Sequence, residues 1–217
     1  MDIGKALGES FNYAVEAVWG KWVRWILLIV CSIIFPLIIG YQMQVFRGIK
    51  PAPELANWGK LFIDGIKLLL VTIVYMIPFL LVFGLTVGAA IFTAVTSGTL
   101  SPAMLTGLGV GLIISLIILI LTALFLYIAE VRVARTNSMG SAFQIGEILA
   151  HIGRIGWGSY ILSLIVLVLV MLVLGGIVIA LSMIPFIGWL IQLFLMVPLM
   201  LLSSRYICQL YDSAGTP

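Results

Sequence analysis

Glu147 and His151 stand four residues apart, a spacing that places a carboxylate and an imidazole on one face of a helix, where together they can bind a divalent metal. Glu130 offers a third ligand. The set is incomplete, because His151 is the only histidine and no second carboxylate shares its helix. Arg154 lies on the same stripe, opposite Ile145, Leu149 and Ile152. A solvated polar face with a weak Glu–His contact is the simpler reading. No metal or other cofactor is expected.

A second group of the same kind is Lys60, Asp64 and Lys67, spaced four and three apart. Asp64 is expected to pair with one or both lysines, an interaction of only a few tenths of a kcal/mol if exposed. The functional alternative is an ion or lipid-headgroup site. Lys60, Lys67, Arg132, Arg135, Arg154 and Arg205 together form a positive set suited to anionic headgroups. Catalytic chemistry finds less support. A Ser–His–Asp arrangement is not credible with the single histidine on an exposed stripe. No glycine loop is placed to cradle a phosphate beside a strand, since no strands are expected. The chain does not read as an enzyme.

The elements that must carry these residues are apolar. Of the 217 residues, 63% are hydrophobic and 9% charged, and the mean hydropathy is +1.29. A soluble domain carries about 25% charged residues, so a membrane protein is the only class that fits. The net charge of +3 does not imply nucleic acid, because the basic residues flank apolar segments as the positive-inside rule requires. Cys31 and Cys208 lie in or beside such segments, and no disulfide framework follows. The N-terminus lacks a basic patch, a short apolar core and a small-residue cleavage site, so no cleavable signal peptide is expected.

In chain order, residues 1–21 read as an interfacial amphipathic helix capped by Asp2. Ile3, Leu7, Phe11, Val15 and Val18 form its apolar stripe, facing either acyl chains or the protein's own core. Trp19, Trp22 and Trp25 suit the headgroup boundary. Residues 22–46 form either a re-entrant hairpin or a single span, with a break expected near Pro36. A polar island, Arg47 to Lys67, leads to the uncharged run Leu68–Ala129. That run is expected to turn at Ser97–Pro102 and to kink without ending at Pro78. A second island, residues 130–154, includes Ser141 and Gln144 at capping-box spacing. Two further helices are expected near 157–182 and 189–206, separated at Met183–Gly188.

The islands overlay. Asn57, Lys60, Asp64 and Lys67 recur in spacing as Gln144, Glu147, His151 and Arg154, each 87 residues on. Residues 47–129 and 130–217 thus read as two units in parallel orientation, each an interfacial helix plus a hairpin. Gly84 with Gly88, Gly107 with Gly111, and Gly176 with Ala180 fall at helix-packing spacing, within one chain or between copies. Within the spans the polar groups are mainly hydroxyls: Thr72, Thr86, Thr93, Ser115, Thr122, Ser163 and Ser182. These are expected to bond back to their own helices. A re-entrant 22–46 puts every basic segment on one side, so the cell membrane is the expected location, with both termini cytoplasmic.

Several strings carry a resemblance: Gly40-Tyr41, Arg47-Gly48, Pro53-Glu54, Asn57-Trp58-Gly59-Lys60-Leu61-Phe62, Asp64-Gly65, Lys67 and Tyr75-Met76-Ile77-Pro78. In these the chain resembles an uncharacterised family of prokaryotic, prominently archaeal, membrane proteins, domain of unknown function 4013. The resemblance is strongest over residues 1–80 and implies no particular activity. The fold expected is therefore an all-α polytopic membrane protein forming a single membrane domain. The function expected is that of a non-enzymatic scaffold or accessory subunit contacting lipids, other membrane proteins or its own copies. The alternative is an oligomeric channel or passive transporter.

Overall fold

The computed structural model describes residues 2–98 and 101–215. Among them are eight α-helices: α1 (Ile3–Val18), α2 (Trp22–Ile33), α3 (Phe35–Phe46), α4 (Trp58–Ser97), α5 (Pro102–Thr136), α6 (Ile145–Ile155), α7 (Trp157–Ser182) and α8 (Gly188–Asp212). A short 3-10 turn, Met139–Phe143, precedes α6. Four of the helices, α4, α5, α7 and α8, are long and apolar enough to cross a membrane by length and composition. The protein is thus all-α, with the helix content of a multi-pass membrane protein. Two compact units are present: one comprises the residues through Leu69 together with those from Ile128 onward, and the other is Leu70–Tyr127.

The first unit is organised around α8, which packs against α1, α2, α3, α6 and α7. Val197, Leu201, Arg205 and Cys208 recur every three or four residues on its buried face. Asp2 caps α1, its carboxylate accepting from the Lys5 amide at 3.1 Å. Of the two facings open to the apolar stripe of α1, Phe11 and Val15 take the outward one, and only Val18 of that stripe is buried. The buried face is Ala6, Ser10, Ala14 and Ala17, whose small size lets the backbone approach its neighbours closely, together with Tyr13 and Val18.

Residues 22–46 break where the proline predicts. α2 and α3 are separate 12-residue helices that pack on one another, each about 18 Å long at 1.5 Å per residue. The first island departs from expectation. α4 is one unbroken helix from Trp58 to Ser97, so the Lys60–Lys67 stripe is its opening rather than a separate interfacial helix. In the second island α6 is separate, because Gly156 adopts φ +90°, a conformation that ends α6 and starts α7 within one residue. Ser141 and Gln144 do not form a capping box: Ser141 bonds back to the Ser138 carbonyl, and the Gln144 side chain accepts from Arg132.

The second unit holds the remainder of α4 and most of α5. α4 continues through Pro78. Of the four glycines expected at helix contacts here, Gly111 alone meets a neighbour: a Cβ there would strike the Thr86 side chain. Gly84, Gly88 and Gly107 have nothing within reach of an added Cβ, and the same is true of Gly176 in the first unit. Part of the expected turn, Thr99 and Leu100, lies outside the described residues. The hydroxyls behave as expected: Thr86, Thr93, Ser115, Ser163 and Ser182 each donate to a carbonyl of their own helix.

Candidate functional site

The polar residues of the first unit assemble where α3, α4 and α5 meet the end of α8. α3 crosses the start of α4 at Gly40 and Gly65. A Cβ on Gly40 would strike the Leu61 carbonyl, and one on Gly65 would strike that of Pro36. Only glycine permits this approach. The Tyr41 hydroxyl then donates to the Pro53 carbonyl at 2.9 Å, tying α3 to the loop before α4.

This crossing brings Arg47 onto Asp64. The guanidinium donates to the Asp64 carboxylate at 2.7 Å, while Lys67 stands 3.9 Å away. Asp64 is 2% exposed. Of the two lysines expected to pair with Asp64, Lys67 does so at the longer distance and Lys60 is exposed, while the shorter and buried pairing comes from Arg47 on another helix. Arg47 also donates through Nε to the Ala134 carbonyl at 3.3 Å, and Arg135 donates through Nε to the Phe46 carbonyl at 2.8 Å. Arg135 grips Asp212 with bonds of 2.7 and 2.9 Å and lies over Gly48, whose φ of +82° and missing Cβ leave it room.

The second stripe is divided. Glu147 turns to Arg132 at 3.7 Å rather than to His151. His151, expected on a solvated face, is 5% exposed and stacks on Tyr211 with ring centroids 3.9 Å apart. Its Nε2 lies 3.0 Å from the Tyr211 carbonyl, and Arg154 donates to its Nδ1 at 3.3 Å. The ring is thus the neutral tautomer that donates from Nε2. Burial lowers its pKa below 6.5. The bond to Tyr211 opposes that shift, while the charges of Arg154 and Arg132 reinforce it. Among the described residues no hydrogen bond or ion pair joins Lys60, Asp64 or Lys67 directly to Glu147, His151 or Arg154. The link runs through residues that the spacing did not single out: Asp64 to Arg47, across to Arg135, on to Asp212, and from its neighbour Tyr211 to His151.

Among the described residues no group of three or more His, Cys, Asp or Glu stands close enough to hold a metal ion. Of the six residues expected at a headgroup site, Asp64 and His151 are buried, Lys67 is half-buried, and Lys60, Glu147 and Arg154 are exposed. Arg47 and Asp212 were the missed members, while Arg135 and Arg205 were expected only as part of the positive set. Arg47 was legible in the strings that carry the resemblance: Gly40 and Gly65, Tyr41 and Pro53, and Arg47 and Asp64 all make their contacts with one another.

Residues 25–183, well over half of the chain, match a family model described as Protein of unknown function (DUF4013). The matched stretch contains α3, the Arg47–Asp64 pair and α6, and leaves α1 and α8 outside it. No curated protein and no solved structure matches the chain.

Proposed function

The chain belongs to the family of unknown function DUF4013, and on that premise we propose that it is a non-enzymatic membrane scaffold or accessory subunit. It contacts lipids and partner membrane proteins through apolar helix faces and holds its shape through the arginine network at one end. The observation that carries this reading is where the polar groups are used. Arg47, Arg135, Asp64, Asp212 and His151 are joined to one another or to main chain, and the span hydroxyls are returned to their own helices. Large side chains such as Leu85, Val95 and Leu172 face outward, as lipid- or partner-facing residues do.

In this arrangement residues 22–46 re-enter the membrane from the side they left. Support comes from the two flanks of that segment. The Tyr13 hydroxyl donates to the Ile49 carbonyl at 3.3 Å, and Lys50 pairs with Glu9 at 3.3 Å. The basic segments and both termini then share the cytoplasmic face. The family is archaeal in emphasis, and the cell membrane is the site.

A second reading, an oligomeric channel or passive transporter, is favoured by the open space beside Gly84, Gly88 and Gly107, where a second copy packs closely. Purified protein in liposomes separates the two. The scaffold reading expects no selective flux above protein-free vesicles. Robust, selective solute flux would sink it.

A further inference from the structure

Arg205 is a buried cation in search of a counter-charge. It is 4% exposed and sits on the buried face of α8. Its Nε has no hydrogen-bond partner. One terminal nitrogen reaches only the Cys208 sulfur, at 3.8 Å, and the guanidinium carbon lies 5.4 Å from the centre of the Tyr13 ring. Among the described residues no carboxylate forms an ion pair with it. Tyr13 does not supply the charge, because burial pushes its phenol up to about 12 despite the neighbouring Arg205. A guanidinium withdrawn from water needs an anion beside it.

Arg205 lines an open cleft of about 360 Å³ between the first turns of α1 and the last turns of α8. Three acids border that cleft, and each is engaged elsewhere. Glu9 pairs with Lys50, Asp212 is gripped by Arg135, and Asp2 caps the start of α1. Two cations are left over: Arg205 at the wall and Lys5, exposed and without an ion pair among the described residues. Gln209 fixes the gap between the helices, its amide donating to the Ser10 hydroxyl at 2.9 Å and the Ala6 carbonyl at 3.4 Å.

We propose that this cleft binds a phosphate oxyanion, held by the Arg205 guanidinium with Lys5 as the outer contact. A phosphate offers several acceptor oxygens, enough to meet the guanidinium and the ammonium group at once. The phosphate is either free in solution or part of a phospholipid headgroup. Of the cleft's lining residues only Lys50 falls within the stretch matched to the family. The site is independent of whether solutes cross the membrane.

The test is thermal unfolding of the full chain in nonionic detergent, titrated with sodium phosphate against sodium chloride at matched ionic strength, and separately with short-chain phosphatidylglycerol. A saturable rise in Tm with phosphate assigns the free anion. A rise with phosphatidylglycerol alone assigns the headgroup. In either case Arg205→Met abolishes the rise, and Lys5→Gln weakens apparent affinity about tenfold or less, as loss of one outer charged contact does. Should Arg205→Met fail to fold, Lys5→Gln carries the decision. A purely structural Arg205 gives the opposite pattern: Arg205→Met lowers Tm equally with and without phosphate. That result, a shift equal in chloride and phosphate, an undiminished shift in Lys5→Gln, or no shift with either ligand would overturn the proposal.

Discussion

Arg47 and Arg135 secure each other's helix ends. Each donates its Nε–H to the carbonyl of the residue just before the other: Arg47 to Ala134 at 3.3 Å, Arg135 to Phe46 at 2.8 Å. Each also keeps a carboxylate, Asp64 for Arg47 and Asp212 for Arg135. The two arginines stand one position off the 87-residue spacing noted between the polar islands. A lysine lacks the planar fork needed to serve a carbonyl and a carboxylate together.

Replacing Arg47 by alanine strands a buried carboxylate. Breaking a buried ion pair from one side costs about 3–5 kcal/mol, and Lys67, 3.9 Å from Asp64, keeps the loss toward the lower end. Thermal unfolding in detergent should show a large drop for Arg47→Ala. Adding Asp64→Asn should recover part of it, because the stranded charge is gone. Arg135→Ala should cost less, since Asp212 is about half exposed and water replaces its partner. Equal losses at the two sites would contradict this ordering.

The glycines divide into those that matter and those that do not. Gly40→Ala and Gly65→Ala each drive a methyl group into main chain across the α3–α4 crossing, which a side-chain rotation cannot relieve. Overpacking of this kind costs about 1–3 kcal/mol or more, and both variants should accumulate poorly or melt early. Gly111→Ala meets only the Thr86 side chain, so Thr86→Ala should rescue it. Gly84→Ala, with open space, should leave Tm unchanged; sensitivity there would instead mark a contact between copies.

Much of the element order was legible, and the reasons are local. Pro36 and the Met183–Gly188 stretch interrupt apolar runs, whereas Gly156, which ends α6, was not among the expected breaks. The bounds of α7, 157–182, follow from where the apolar run starts and where that stretch interrupts it. The site was less legible because its contacts cross between helices. Sequence neighbours offered Lys60 and Lys67 to Asp64, and Lys67 does stand within ion-pair distance, but the shorter bond is from Arg47, brought in by the Gly40–Gly65 crossing. His151 looked solvated because its helix carries polar residues every three or four positions. Its burial depends on Tyr211, sixty residues later, and no spacing rule reaches that far. In α1 the periodicity marked the apolar stripe but left its facing open, and it did not pick out the small residues Ala6, Ser10, Ala14 and Ala17 that are buried.

Acid should loosen the end of α8. His151 is neutral in the fold, accepting from Arg154 and donating to Tyr211, and its pKa is lowered, chiefly by burial. The unfolded chain therefore binds a proton at a higher pH than the folded one. The stabilising contribution is complete above about 6.5 and is lost progressively as pH falls below that value toward the lowered folded pKa. Tm measured from pH 7.5 down to 5 should decline in the wild type. His151→Phe keeps the stacking on Tyr211 without a titrating ring, and it should flatten the curve in this range. An unchanged slope in His151→Phe would show that another group governs the acid response.

The path of residues 22–46 can be read from its two flanks. If the segment crosses the membrane once, Lys5 and Lys50 lie on opposite sides. If it re-enters, they lie together, as the Lys50–Glu9 pair and the Tyr13–Ile49 hydrogen bond require. Two 12-residue helices each fall short of the roughly 20 residues a span needs, which favours re-entry, and the basic flanks favour the cytoplasmic side. Cys31 and Cys208 are both buried, so replacing them by alanine gives a background for single-cysteine variants Lys5→Cys and Lys50→Cys. In intact cells a membrane-impermeant maleimide should label neither variant, and after permeabilisation it should label both. Labelling of one from outside would restore the single span. Labelling of both would keep the hairpin and reverse the orientation.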